Sequence, residues 1–190
     1  MNNVEEIFQK SGAILNGHFL LTSGLHSPVY WEKFQILQYP DSVEQLCRQI
    51  ATHFRKETVQ VVAGPTTGGI ILAFEVAKQL NVRGIFAEKV SDKQRAFRRG
   101  FNINSDGQVL IVDDILTTGD SIRQVMTAVE NQGGIVIGIG VLVDRAEQAI
   151  DFGVPLFSCF RSKTVTYKPE ECPLCAKQIP LVKPGGGQKP

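Results

Sequence analysis

The sequence predicts an α/β protein, with a central, mostly parallel sheet flanked by helices and a small N-terminal lobe. Three observations carry this. The strand-like segments are apolar throughout instead of alternating, as in "VLIV" (109–112) and "IVIGIGVLV" (135–143), the pattern of strands buried on both faces. Helix-length segments with apolar residues three and four apart separate them. At 190 residues the chain suits one α/β domain with a small addition.

Residues 3–10 predict a short helix with Val4, Ile7 and Phe8 on one face, and "GHFLLTSGLHSPVYWEKF" predicts two short strands, with turn signals at Ser23-Gly24 and Ser27-Pro28. Asp41 or Ser42 can cap a helix through Lys56 that buries Val43, Leu46, Cys47, Ile50 and Phe54. A strand, loop and helix follow at 59–64, "PTTGG" and 70–80. Further strands are expected at 84–89, 108–114, 135–145 and 155–160, with a helix over 120–134 that ends in a glycine pair. The expected division is one domain over 1–168, with a lobe at 1–40 and a core at 41–168, then an irregular extension over 169–190.

Composition narrows the function. A formal charge of +1 argues against a nucleic-acid-coating surface. No apolar run reaches the ~18 residues of a membrane span. The N-terminus "MNNVEEIFQKSG" lacks a signal-peptide core. Four irregularly spaced cysteines suit a reducing compartment, so a cytoplasmic protein is expected.

In open parallel sheets, ligands bind at the carboxyl ends of the strands. Three polar segments fall there: "GPTTGG", "DDILTTGDS" and "DRAE". In the second, Thr117, Thr118, Gly119, Asp120 and Ser121 sit where a helix begins. Backbone amides without intrahelical partners, the helix dipole and hydroxyl donors make that a phosphate cradle. Asp113 and Asp114 would repel a phosphate unless they serve another part of the same ligand. Ionised carboxylates only accept hydrogen bonds, so vicinal sugar hydroxyls are the matching groups. A plain helix-capping role is the other use of such acids.

The string "VLIVDDILTTGDS" resembles the phosphoribosyl pyrophosphate (PRPP) signature of the type I phosphoribosyltransferases. The segments "FLLTSGLHSPVYW", "GPTTGGI", "FAEK", "VLVDRAE" and "EECPLC" with "IPLVKPG" make the chain, from about residue 7 to residue 185, similar to the orotate phosphoribosyltransferase family. The resemblance implies that Asp113 and Asp114 hold the ribose, and that Ile115, Leu116, Thr117, Thr118, Gly119, Asp120 and Ser121 surround its phosphate. Thr117, Arg145, Tyr30 and Trp31 would face orotate. A guanidinium matches a planar carboxylate, and aromatics suit its ring. Arg145 could instead pair with Asp144 or Glu147, and Tyr30 and Trp31 could instead pack the lobe.

"EKVSDKQRAFRRG" (88–100) predicts an exposed cationic loop or hairpin. In the family a loop here closes over pyrophosphate, often across a dimer interface. Lys89, Lys93 and Arg95 are its expected PRPP contacts, and Lys93 joins Asp113 and Asp114 as the catalytic set. The implied reaction moves phosphoribosyl from PRPP to orotate, giving orotidine monophosphate and pyrophosphate in pyrimidine nucleotide biosynthesis. Mg²⁺ would arrive with PRPP, and the protein would be a homodimer sharing the basic loop, with neither nucleic acid nor membrane as partner. The chain departs from the best-known members by lacking the loop histidine, and by carrying Gly68 and Thr22 where they have lysines. Two alternatives stay open: a phosphoribosyltransferase for another nucleobase, or a non-catalytic PRPP-sensing regulator, whose DNA-binding module this chain has no room for.

Gly138 and Gly140 lie inside a strand without a third glycine, so they form no dinucleotide fingerprint. Cys172 and Cys175 form a single C-x-x-C, and His18, His26 and His53 show no matching spacing. A tail turn is expected there, and no protein-held metal.

Overall fold

The computed structural model describes residues 4–21, 23–162 and 165–184. Contacts divide it into a larger unit, Leu37–Ser162, and a smaller one that joins Met1–Ile36 to Lys163–Pro190. The unit boundaries thus fall at Ile36 and Lys163, and part of the expected core, from Lys163 on, groups with the N-terminal lobe. No helix among the described residues is long and apolar enough to cross a membrane.

In chain order the elements are α1 (Val4–Lys10), β1 (Ile14–Leu20), β2 (His26–Trp31), α2 (Lys33–Leu37), α3 (Pro40–His53), β3 (Val61–Pro65), α4 (Gly68–Leu80), β4 (Arg83–Ser91) and β5 (Gln94–Phe97). Then come β6 (Gln108–Leu116), α5 (Asp120–Glu130), β7 (Ile135–Asp144), β8 (Leu156–Arg161), a 3₁₀ turn (Pro169–Glu171) and α6 (Pro173–Ala176).

In the larger unit the six strands run β5-β4-β3-β6-β7-β8, and every pairing is parallel except β4 with β5. The apolar strands are buried on both faces, as their composition requires. Val61, Ala63, Val109, Ile111, Ile139 and Val141 join Ile122, Val125 and Val129 of α5 in one core. The intervening residues Val62, Leu110, Val112 and Leu142 are buried as well. Gly138 and Gly140 explain themselves by packing: a Cβ at either would lie 2.4 Å from Phe54 or Ile50, next to α3. The segment expected as a cationic loop or hairpin is a hairpin, with Lys89 opposite Arg95 and Ser91 opposite Gln94.

In the smaller unit β1 and β2 form an antiparallel pair, with Ile14 opposite Trp31 and Leu20 opposite His26. Phe8 of α1 meets Trp31 edge-on at 5.2 Å. The tail is less irregular than its proline content suggests. Tyr167 and His26 exchange two backbone hydrogen bonds of 2.8 Å, the Val182 amide donates to His18 O at 2.8 Å, and the Leu20 amide donates to Val182 O at 2.9 Å. Tail backbone therefore covers hairpin edges that would otherwise stand open.

Candidate active site

β3 is the strand from which the chain leaves to both sides, to β4 and later to β6. At such a switch point the connections diverge and a crevice opens at the carboxyl ends. β3 leads there into Thr66, Thr67 and α4, with a cis peptide between the two threonines. β6 leads into Thr117, Thr118 and Gly119, then α5. The strand was expected to stop at Asp114 but runs to Leu116, because Ile115 and Leu116 still pair with Val143 and Asp144 of β7.

Asp113 and Asp114 are 5% and 2% exposed. Buried carboxylates need donors, and the local chain supplies them. Asp113 accepts from the Asp114 amide (2.8 Å) and the Ser121 hydroxyl (2.7 Å), and Asp114 accepts from the Ile115 amide (2.7 Å). The Ser121 hydroxyl is thus committed to Asp113, tying the acid strand to the first turn of α5.

Gly68 lies against the second acid, where a Cβ would come within 2.0 Å of the Asp114 carboxylate. Gly68, one of the two departures from the family's lysines, thus brings the N-terminus of α4 to the acid, with the positive end of the helix dipole beside it. Thr22, the other lysine substitution, lies outside the described residues.

Gly119 takes φ 82 at the N-cap of α5, and a Cβ there would stand 2.9 Å from Phe152. Only glycine combines that backbone with that contact. Thr117 and Thr118 are exposed beside it, and Thr118 donates to the Asp120 carboxylate at 2.9 Å. The first-turn amides of α5 have no i−4 partners, and that of Asp120 donates to the Thr118 hydroxyl at 3.4 Å. The Arg145 amide donates to Leu116 O at 2.8 Å, which puts Arg145 beside Thr117 at neighbouring strand ends. The Asp144 carboxylate lies 3.6 Å from Arg161 and accepts from the Ala146 amide.

The cations of the hairpin segment have different settings. Arg99 pairs with Glu88 at 2.8 Å, and Lys89 with Asp92 at 2.7 Å. Arg95 instead reaches inward, donating from Nη1 to the Thr66 hydroxyl (3.1 Å) and carbonyl (3.3 Å), while its buried Nε has no hydrogen-bond partner among the described residues. Burial pulls its pKa below the ordinary value and the Asp113 charge opposes that; a guanidinium stays charged regardless. Lys93, Arg95, Asp120 and Arg123 border one open groove of about 560 Å³. Arg95 precedes buried Phe97 by two positions on a strand, which places both on one face; that spacing was the available signal.

Two expected base contacts lie in the smaller unit. Tyr30 is half-buried against Phe19 at 5.7 Å. Trp31 is 5% exposed and packed on Phe8, so it is a core side chain and offers no open ring face. The C-x-x-C does form a turn, yet Cys172 and Cys175 converge there with His18 and His26. Pairs of residues more than a hundred positions apart close this grouping, which local spacing does not reveal.

Buried acids beside a helix start at the switch point, with an inward guanidinium nearby, place hydrogen-bond acceptors and donors side by side, as a ligand with both hydroxyl and anionic groups requires. Residues 35–171 match the family model described as "Phosphoribosyl transferase domain". The orotate phosphoribosyltransferase of Pelotomaculum thermopropionicum is 49% identical over 97% of this chain and 96% of its own, and that of Caldanaerobacter subterraneus subsp. tengcongensis is 50% identical over 96% and 95%. The crystal structure of orotate phosphoribosyltransferase from Aeropyrum pernix superposes with a TM-score of 0.72 at 27% identity, over 84% of this chain and 94% of that one. The chain belongs to the orotate phosphoribosyltransferase family.

Proposed function

We propose that the protein transfers phosphoribosyl from PRPP to orotate, releasing pyrophosphate and forming orotidine monophosphate for pyrimidine nucleotide synthesis. The observation that carries this is the buried pair Asp113 and Asp114 at the switch point, held by backbone amides and a hydroxyl directly before the α5 cradle. In this reading the acids accept from the ribose hydroxyls and fix the anomeric carbon, while the amides of residues 117–121 hold the 5′-phosphate. Charge develops on the departing pyrophosphate, and Lys93 and Arg95 border the groove where it would leave. Mg²⁺ arriving with PRPP would supply further neutralisation of that charge, as an oxygen-rich substrate suits a hard cation. Arg145, beside Thr117, pairs with the orotate carboxylate.

Two copies would share the β4–β5 hairpin across a dimer interface, which its exposed Lys89 and Lys93 permit, and the four free cysteines suit a reducing cytoplasm. Activity recovered on mixing Lys93→Ala and Asp113→Asn proteins supports the shared hairpin, and no recovery counts against it.

Pyrophosphate release from PRPP and Mg²⁺, measured against orotate, uracil, adenine and no base, tests the function. Release that depends on orotate is expected. Release with another base only would move the protein to a different substrate, and PRPP binding without release with any base would mark a sensor.

A further inference from the structure

The larger unit's thiols are ordinary side chains, Cys47 buried and Cys159 half-buried; desolvation raises both pKa values, that of Cys159 to about 12. The other two cysteines sit differently. His18 of β1, His26 of β2 and Cys172 and Cys175 of the tail bring one ligand atom each to within 4.8 Å of all the others. His18, His26 and Cys172 are buried, at 2%, 5% and 4% exposure. All four lie outside residues 35–171, the part that matches the phosphoribosyl transferase domain.

Hydrogen bonding alone does not satisfy this group. His18 Nδ1 lies 2.7 Å from Ile179 O, which can only accept, so Nδ1 carries the proton and Nε2 of the neutral ring has one lone pair. Three groups face that lone pair: His26 Nδ1 at 2.9 Å, Cys172 Sγ at 3.5 Å and Cys175 Sγ at 3.7 Å. Cys175 Sγ also lies 3.3 Å from His26 Nδ1. One lone pair accepts one such bond well, whereas a cation at the centre takes electron pairs from all four atoms together.

The distances suit a particular ion. With Zn–S near 2.3 Å and Zn–N near 2.0–2.1 Å, the edges of a tetrahedron are about 3.3–3.8 Å. Three thiol–imidazole edges, 3.3, 3.5 and 3.7 Å, fall in that range; the imidazole edge of 2.9 Å needs a small opening, and the two remaining edges, both to Cys172, lie within 4.8 Å. We propose that the smaller unit holds a structural zinc ion on His18 Nε2, His26 Nδ1, Cys172 Sγ and Cys175 Sγ. Two thiolates with two imidazoles are a zinc donor set, and four protein ligands leave no position for a substrate. The Ile179 carbonyl fixes the tautomer of the His18 ring, as an outer partner of a metal-bound histidine does. Binding converts Zn²⁺ and two thiols into two zinc–thiolate bonds with release of two protons.

The gain is structural. A two-stranded hairpin is marginal in water, and small units generally need staples. This ion would clamp both strands of the hairpin to the tail that covers their edges, and β2 is the strand that carries Tyr30 and Trp31.

The test uses the full-length protein, purified under reducing conditions without chelator, with zinc measured by elemental analysis and Co²⁺ exchanged in for spectroscopy. About one zinc per chain is expected, with cobalt spectra showing thiolate charge-transfer bands and the intense visible bands of tetrahedral coordination. Cys175→Ser, at the exposed ligand, should reduce occupancy after dialysis to about a tenth or less, while circular dichroism reports whether it still folds. Substoichiometric zinc that added Zn²⁺ does not raise would overturn the site. So would cobalt spectra without thiolate bands, or a Cys172–Cys175 disulfide whose reduction restores no metal binding.

Discussion

The two units bury polar groups by opposite means. In the larger unit Asp113 and Asp114 sit at the end of a strand whose apolar stretch is packed on both sides, and amides, a hydroxyl and a helix end surround them. The packing exists without the acids, so the scaffold holds the site. In the smaller unit the buried histidines join the few elements around them: His18 and His26 come from the two strands of the hairpin, and Cys172 and Cys175 from one turn of the tail. There the polar cluster holds the scaffold. Changes to the polar side chains of the larger unit's site, as distinct from its backbone glycines, should therefore alter function at little cost in stability, and substitutions in the smaller unit should do the reverse.

Arg145→Ala presses the first half hardest. A pocket built around a carboxylate leaves its guanidinium unsatisfied when uracil enters, which is how it rejects that analogue. Losing one member of a buried charge pair costs about 2–5 kcal/mol, so kcat/KM for orotate should fall at least about 30-fold. Discrimination against uracil should narrow, and the melting temperature should hold. Wild-type kinetics with orotate would remove Arg145 from the base site.

Gly119→Val probes the backbone beneath the cradle. A β-branched residue at φ 82 facing Phe152 at 2.9 Å should cost about 2–3 kcal/mol, lowering the melting temperature by roughly 4–12 °C. PRPP binding should weaken with it. Gly153 has φ 74 and nothing within 4 Å of a Cβ, so Gly153→Ala should cost only the backbone strain, about 1–2 kcal/mol. Equal losses in thermal unfolding would show that the Phe152 contact contributes nothing.

Lys93→Ala should lower kcat by about tenfold with PRPP affinity little changed, if its charge acts on developing pyrophosphate charge. A higher KM for PRPP at constant kcat would make it a ground-state contact instead.

Trp31→Phe, in the smaller unit, should have the smallest kinetic effect. It should leave the orotate KM within about twofold and cost about 1 kcal/mol or a little more in stability, read from denaturant midpoints. A large rise in KM with unchanged stability would return Trp31 to the base site and break the contrast between the units.

The difference between the units also sets what the sequence reveals. Apolar runs such as Val109–Val112 announce buried parallel strands, and the acids and cradle follow them within a dozen residues. The ordering of β3 between β4 and β6 then needs only connection rules. Arg95 was harder, because its inward turn depends on β5 pairing with β4, a hairpin that a highly charged segment barely signals. Trp31 reads equally as anchor or core until Phe8 is seen against it. The grouping of His18 and His26 with Cys172 and Cys175 depends on the tail returning to the hairpin by backbone bonds from Tyr167 and Val182, which no local pattern encodes.

Calorimetric titration of PRPP into the wild type and into the double variant Asp113→Asn, Asp114→Asn tests most directly whether the switch-point acids hold the sugar. Asparagine keeps the shape and one acceptor oxygen, and the Ser121 hydroxyl can turn to accept from the new amide. The charge that strengthens hydrogen bonds to the ribose is lost, and one acceptor oxygen of each acid becomes a donor. Hydrogen bonds to charged groups contribute about 1.5–3 kcal/mol, so affinity should fall at least about tenfold while the melting temperature stays close to wild type. Unchanged PRPP affinity in a folded double variant would contradict the assignment.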